Sequence, residues 1–140
     1  MRRFQLAGGS AAACVALFHH RHQSRSEASS NESPPLFRFG VIADIQYCDC
    51  KPATNFCGSE TRNYRGGLAQ TERAVEFWNS LNNLAFVAQL GDLIDGQNAG
   101  TYGQGLDFDS PQSAPAMERV RGILARCKAP IYHAIGNHEL

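Results

Sequence analysis

The sequence has no surplus of charge of either sign, and this argues against one broad class of partner. Its 140 residues include 13 Lys and Arg and 13 Asp and Glu, so the formal net charge is zero. Proteins that bind nucleic acid through overall electrostatic attraction carry an excess of basic residues. We therefore expect no nucleic-acid partner.

The chain also lacks, at its start, both acidic residues and an apolar run of membrane-spanning length. The first 26 residues contain four Arg and no acid. The apolar stretch 6–18 has 13 residues, whereas a membrane-spanning helix needs about 20. A signal peptide fits the basic, apolar start, although Phe18-His19-His20-Arg21 lacks the small residues of a cleavage site. A mitochondrial or plastid presequence fits the Arg-rich, acid-poor composition.

A polar stretch, 24–35, ends in Pro34-Pro35 and is typical of a linker. We therefore predict that residues 1–35 form a disordered tail, with a possible targeting segment, and a linker. Residues 36–140 form the folded part. The expected location is cytoplasmic, or organellar if the first residues act as a presequence.

The cysteines lack the pattern of a disulfide framework. There are five, an odd number, and no Cys-x-x-Cys spacing is repeated. Reduced thiols are the expectation. A soft-metal site or a disulfide among Cys48, Cys50 and Cys57 is the alternative, although neither a histidine nor a fourth cysteine nearby completes a metal site.

What the sequence does contain is an alternation of apolar runs and amphipathic segments. Phe37–Ala43, 84–90 and 131–135 resemble strands buried on both faces. Residues 64–81 show helical spacing, as does a second segment that starts near Ser113. The order βαβαβ predicts an α/β fold with a parallel sheet.

Polar turns follow all three predicted strands. They are Asp44-Ile45-Gln46, the run Gly91-Asp92-Leu93-Ile94-Asp95-Gly96, and Gly136-Asn137-His138-Glu139. Because ligands of parallel α/β sheets bind beyond the carboxyl ends of the strands, these turns should share one edge. Carboxylate and amide oxygens suit divalent metals, and two such ions assist phosphate hydrolysis.

The side chains suggest individual roles at such a site. Asp92 is placed to bridge two ions, and Gly91 before it permits a tight turn. Asp44 and Gln46 are two residues apart, so in an extended segment both reach one ion. Asn137 offers an amide oxygen. His138 could act on the substrate phosphate as hydrogen-bond donor or general acid.

These three turns resemble the first three motifs of the calcineurin-like metallophosphoesterases. Asp44-Ile45-Gln46, Arg62-Asn63-Tyr64-Arg65, Trp78 and Gln89–Gly96 more closely resemble the manganese-dependent ADP-ribose/CDP-alcohol diphosphatases, in which Gln replaces the His of the first motif. The resemblance covers approximately residues 37–140. It implies the βαβαβ N-terminal half of the layered metallophosphoesterase sandwich, incomplete in this chain.

The resemblance also implies a ligand set. Asp44 and Gln46 would bind the first metal, Asp92 would bridge both, Asn137 would bind the second, and His138 would assist at the phosphate. Asp95 would be structural. An amide oxygen at Gln46 is harder than imidazole nitrogen, so Mn²⁺ or Mg²⁺ is expected over Zn²⁺.

The family pattern continues with a further His and a Gly-His-x-His, for which these 140 residues have no counterpart. We therefore expect an N-terminal part of a longer enzyme that lacks the C-terminal metal ligands. The implied reaction is hydrolysis of the diphosphate linkage in ADP-ribose or CDP-alcohols. The alternatives are another phosphomonoesterase or phosphodiesterase of this fold, and a catalytically inert product.

Three further residues are candidates for the substrate. Arg62, Tyr64 and Arg65 could bind substrate phosphate or stack on a base, or they could simply form the solvated start of a helix. The expected partner is a small nucleotide diphosphate, and the expected state is a monomer.

Overall fold

The computed structural model describes residues 14–20, 35–54, 58, 61–100 and 111–139. It contains a four-stranded sheet of order β1-β2-β5-β6. The strands are β1 (Cys14–His20), β2 (Phe37–Ala43), β5 (Leu84–Gln89) and β6 (Ile131–His133). A separate hairpin pairs β3 (Ala53–Thr54) with β4 (Thr61–Arg62), and the helices are α1 (Gly66–Asn79) and α2 (Ser113–Leu124).

Three strands of the sheet run in parallel, as the sequence predicts. β2 pairs with β5, and β5 pairs with β6, both in parallel register. α1 lies between β2 and β5 in the chain, and α2 lies between β5 and β6. The predicted βαβαβ order and the α/β class are therefore confirmed, and the carboxyl ends of the three strands meet at one edge.

The apolar stripes of the helices explain where the core lies. In α1 the buried residues include Thr71, Ala74, Val75 and Trp78, which lie on one helical face. In α2 they are Ala116, Val120, Ile123 and Leu124. The apolar residues among them form one cluster with Ile42 of β2 and Val87 of β5, so both helices cover the same face of the sheet.

Alternation along the strands places aromatic rings on the opposite face. Phe39 and Phe86 stack with their centroids 5.1 Å apart, and Phe86 meets Tyr132 edge-on at 5.8 Å. Tyr132 is 65% exposed. The two faces of the sheet thus differ, with a helix-covered aliphatic core on one and an aromatic ladder across three strands on the other.

The first strand was not predicted. Residues 14–20, expected within a disordered tail, form β1, which pairs antiparallel with β2 from Cys14↔Ala43 to His20↔Phe37. The prediction of disorder is wrong for these seven residues, and the edge of β2 is paired. The rest of the predicted tail and linker, apart from Pro35, lies outside the described residues, so the tail's boundary stays a prediction.

The cysteine expectation is also wrong for one pair. Cys48 and Cys50 are joined by a disulfide, and both residues are buried. They pack with Tyr64 in a small cluster of their own. Cys127 is a free thiol that packs against the main core, and its burial raises the pKa of the thiol. Cys57 lies outside the described residues.

None of the helices in the described part of the chain is long and apolar enough to cross a membrane.

Candidate metal centre

The first and second polar turns run side by side beyond the ends of β2 and β5. The backbone N–H of Gln46 donates to the carbonyl of Asp92 at 2.9 Å, and that of Tyr47 donates to Leu93 at 3.1 Å. Tyr47 and Ile94 then form a parallel bridge. The pairing of the parallel strands therefore continues into the turns and fixes Asp44 and Gln46 beside Asp92.

Backbone strain coincides with the predicted ligands. Asp44, Gln46 and Asp92 have φ angles of 56°, 45° and 55°, and they are the non-glycine residues with positive φ in the described part of the chain. An L-residue pays a steric cost in this left-handed region. Such strain is concentrated at functional sites, where the surrounding structure maintains it. Three of the four candidate ligands carry this signature.

The third turn packs directly on the second. A Cβ added to Gly91, whose φ is 99°, would lie 2.6 Å from the backbone nitrogen of Gly136. A Cβ added to Gly136 would overlap the backbone nitrogen and carboxylate of Asp92. Glycine at both positions permits this close approach. It places Asn137 and His138 beside Asp92, and the backbone N–H of His138 donates to Asp92 Oδ1 at 3.1 Å.

The charges of the site are close enough to affect one another. The pKa of Asp44 is raised, first because its surroundings remove part of its hydration and second because the Asp92 carboxylate lies nearby. His138 and Arg62 act in the opposite direction. A cation bound beside Asp44 and Asp92 would offset the repulsion that Asp44 experiences.

The histidine of the third turn has a defined orientation. Nδ1 of His138 accepts a hydrogen bond of 2.8 Å from the backbone N–H of Gly96. Because Nδ1 is an acceptor, the neutral imidazole carries its proton on Nε2. The ring is therefore held as a donor whose Nε2–H points away from the Gly96 backbone.

Asp95, for which the resemblance implies a structural role, makes contacts within the second turn and with Arg62. It is buried, and its Oδ1 accepts from the backbone N–H of Gln97 at the start of a short 3₁₀ helix, Gly96–Ala99. Its Oδ2 lies 3.6 Å from Nη1 of Arg62. Arg62 is thereby placed at the rim, within electrostatic range of Asp44.

The other two substrate candidates have different environments. Tyr64 is 4% exposed and packs against Cys48 and Cys50. Nε of Arg65 donates to Asp49 Oδ1 at 2.6 Å, and its Nη2 donates to the Asp49 carbonyl. The structure therefore brings Arg62 to the site but engages Tyr64 and Arg65 in holding the loop that follows Gln46.

The contacts among Tyr47, Asp49, Arg65 and Arg119 form a loop anchor, and the part that involves Arg119 was not predicted. Arg119 of α2 donates to the hydroxyl of Tyr47 at 2.7 Å and to Asp49 Oδ2 at 3.1 Å. Hydrogen bonds from the two arginines lower the pKa of Asp49. Nothing in the spacing of residues 47, 49 and 119 signals this contact, because α2 meets the loop only in the folded chain.

Glu139 was also missed. It closes the third motif, yet no role was predicted for it. Its carboxylate accepts hydrogen bonds from backbone N–H groups of both the second and the third turn. The sequence did hold a signal for this role, because Glu139 is an acidic residue at the end of a turn that was expected to lie beside the second turn.

The donor set fits a hard divalent cation. The three turns present two carboxylates, from Asp44 and Asp92, and two amides, from Gln46 and Asn137, and oxygen donors of this kind suit Mn²⁺ and Mg²⁺. Within the described ranges no group of three or more His, Cys, Asp or Glu side chains forms a metal site.

Comparisons with known proteins agree with this reading. The family pattern described as calcineurin-like phosphoesterase matches residues 37–140. The manganese-dependent ADP-ribose/CDP-alcohol diphosphatase of Homo sapiens is 40% identical over 114 residues, 81% of this chain and 31% of the human protein. The protein of that name from Arabidopsis thaliana is 40% identical over 106 residues, 76% of this chain and 30% of the plant protein.

A solved structure supports the same relationship. The crystal structure of a dimetal phosphatase from Danio rerio matches with a TM-score of 0.63 and 35% sequence identity, covering 75% of this chain and 30% of that chain. This chain therefore spans about a third of the length of the relatives it matches. The parallel sheet, the three strand-end turns and the match over residues 37–140 show that the chain belongs to the calcineurin-like phosphoesterase family.

Proposed function

We propose that this chain forms the N-terminal part of the active site of a metal-dependent hydrolase, which cleaves the diphosphate linkage of ADP-ribose and CDP-alcohols. The observation that carries the proposal is the left-handed backbone of Asp44, Gln46 and Asp92 at one sheet edge. The names of the human and plant relatives support manganese as the metal and these compounds as substrates.

In this proposal the turns hold two divalent cations. Asp44 and Gln46 would hold the first, Asp92 would contribute to both, and Asn137 would hold the second. When bound, such a pair neutralises charge on phosphate oxygens and supplies a nucleophile at neutral pH. The hydrogen bond from His138 N–H to Asp92 Oδ1 helps to hold the bridging carboxylate in place.

The remaining roles belong to side chains that would meet the substrate. His138 donates from Nε2 to a phosphate oxygen, because Nδ1 is engaged by Gly96. Arg62 binds a second phosphate oxygen of the diphosphate. Its guanidinium is partly exposed and is steadied by Asp95 at 3.6 Å, and Arg suits phosphate through charge-assisted hydrogen bonds.

The test compares substrates on the same protein with Mn²⁺ present. ADP-ribose, cyclic AMP and p-nitrophenyl phosphate are each titrated by calorimetry, and AMP release from ADP-ribose is followed by chromatography. We expect ADP-ribose to bind most tightly, and we expect Asp92→Asn to weaken Mn²⁺-dependent binding about 100-fold or more, since even residues behind the ligands cost 10–100-fold. Glu76→Gln, an exposed change on α1, is the matched control.

Other results lead to different conclusions. Tighter binding of cyclic AMP or the monoester would indicate another phosphoesterase of this fold. No heat on titration with Mn²⁺ alone would indicate a chain that is inert by itself, and would contradict the proposed site.

A further inference from the structure

The carboxylate of Glu139 connects the second and third turns through backbone hydrogen bonds. Oε2 accepts from the N–H of Gly136 at 2.7 Å and from that of Asp92 at 3.0 Å. Oε1 accepts from the N–H of Leu93 and from that of Ile94 at 3.4 Å. One side chain thus meets three successive amides of the second turn and one amide of its own turn.

These contacts occupy the hydrogen-bond acceptor positions of the carboxylate. A carboxylate oxygen has about two lone-pair positions, and each oxygen of Glu139 has two N–H donors. Glu139 belongs to the same four-residue turn as Asn137 and His138, but its oxygens face the backbone of the second turn. The contacts therefore favour a role behind the site over a role as metal ligand.

Three of the four N–H groups that donate to Glu139 belong to the second turn and begin at the strained residue Asp92. Asp92 has a φ of 55°, and the chain from Asp92 to Ile94 follows the end of β5. Successive N–H groups in such a turn converge to form a pocket for an anion. The Glu139 carboxylate is that anion, and a negatively charged acceptor makes these hydrogen bonds stronger than a neutral one would.

We propose that Glu139 is a positioning residue, which holds Asp92 in its left-handed conformation and so sets the direction of its carboxylate toward the metals. This inference rests on the proposed function. The third turn then acts on Asp92 twice, since Glu139 fixes its backbone N–H while the backbone of His138 donates to its Oδ1. Metal affinity therefore depends on a carboxylate that does not touch the metal.

The experiment compares wild type, Glu139→Gln and the matched control Glu76→Gln in two measurements on the 140-residue chain. Gln keeps the size of the side chain but replaces one acceptor oxygen by a donor NH₂. This group cannot accept hydrogen bonds from the backbone N–H groups. In metal-free protein, amide hydrogen exchange of Leu93, Ile94 and Gly136 should become at least tenfold faster in Glu139→Gln and stay unchanged in the control.

The second measurement is titration with Mn²⁺ at a temperature where all variants are folded. Glu139→Gln should weaken Mn²⁺ binding by about 10–100-fold, the effect typical of residues that orient metal ligands. Glu139→Asp, which keeps the charge but shortens the reach, should weaken it less. If Glu139→Gln does not fold, Glu139→Asp is compared with wild type in the same two measurements.

Unchanged exchange at these amides would overturn the inference. Faster exchange with unchanged Mn²⁺ affinity would overturn it too, because it would leave Glu139 with a purely structural role. A wild-type protein that binds no Mn²⁺ would instead overturn the proposed function, and the dependence of metal affinity on Glu139 with it.

Discussion

Gly136 and Gly91 determine, at the scale of single residues, how closely the second and third turns approach. Neither has space for a side chain, because a Cβ added to Gly91 would lie 2.6 Å from the backbone nitrogen of Gly136, and one added to Gly136 would overlap the backbone nitrogen of Asp92. The motifs could be recognised in the sequence, since Asp44, Asp92 and Asn137 follow apolar strands. The function of Glu139 could not, because three of its four hydrogen-bond donors, the N–H groups of Asp92, Leu93 and Ile94, lie more than 40 residues earlier in the chain.

Gly136→Ala should disturb the site and destabilise the fold. The new methyl group would overlap Asp92, and forcing a group into a packed position typically costs about 1–3 kcal/mol. Urea denaturation measures the loss. Gly122→Ala is the control, because the added methyl on α2 meets nothing within 4 Å and should stabilise the helix by up to about 1 kcal/mol. Equal stability of the two variants would contradict the described packing.

Arg62→Ala should weaken ADP-ribose binding with Mn²⁺ present by about 10–100-fold, since hydrogen bonds to charged groups contribute about 1.5–3 kcal/mol. Arg65→Ala is the comparison, because Arg65 is engaged with Asp49 and lies in the loop anchor. It should lower stability more than affinity. Isothermal titration measures the affinity of each variant for ADP-ribose. An equal loss of affinity in both variants would contradict the role assigned to Arg62.

Asp49 should make the loop anchor sensitive to acid. Its pKa is lowered in the folded state by hydrogen bonds from Arg65 and Arg119. The stabilisation is therefore present above the unfolded pKa, near 3.8, and is lost as pH falls through the lower folded value. The effect is small, since 45% of the Asp49 side chain is exposed.

Urea denaturation between pH 3 and 7 checks this dependence. Asp49→Asn should lose less stability than wild type on acidification, because the substituted side chain does not titrate. A variant whose unfolding free energy falls with pH as steeply as that of wild type would contradict the role of the ion pairs.

At the scale of secondary structure, the sequence predicted elements with strong periodicity better than those set by distant contacts. β2 has the predicted bounds, and α1 begins two residues later than predicted because Asn63 and Tyr64 accept backbone hydrogen bonds in a preceding turn. β1 was missed because it forms by pairing with β2, which lies farther along the chain, and local sequence patterns do not indicate such pairing. The two-residue strands of the β3–β4 hairpin are too short to leave a periodic pattern.

Asn79, the last residue of α1, links this helix to the segment that follows α2. Its Nδ2 donates to the carbonyl of Arg126 at 2.9 Å, and its Oδ1 accepts from the N–H of Lys128 at 2.8 Å. Asn79→Ala should destabilise the fold by about 1–2 kcal/mol, since each hydrogen bond contributes about 1 kcal/mol. In urea denaturation, Ser80→Ala should cost less, because the Ser80 hydroxyl donates to the carbonyl of Phe77 within its own helix. An unchanged free energy of unfolding in Asn79→Ala would show that this link does not stabilise the fold.

At the scale of the whole molecule, the sheet brings together three turns that are spread over residues 44–139 of the sequence. Parallel strands end at the same edge, so three short motifs on three strands become one surface. The order of strands and helices was enough to predict this convergence. The facing aromatic ladder on the other side of the sheet was not predicted, because it depends on which face of β2 and β5 the helices cover.

The most direct test of this convergence is paramagnetic broadening by Mn²⁺ in the ¹⁵N-labelled chain. Substoichiometric Mn²⁺ should broaden the amide signals of residues 44–46, 91–96 and 136–139 together, and should leave Asn79 and Ser80 at the end of α1 unaffected. Asp92→Asn should abolish the effect. Broadening of only one turn, or of signals remote from this edge, would contradict a shared metal centre.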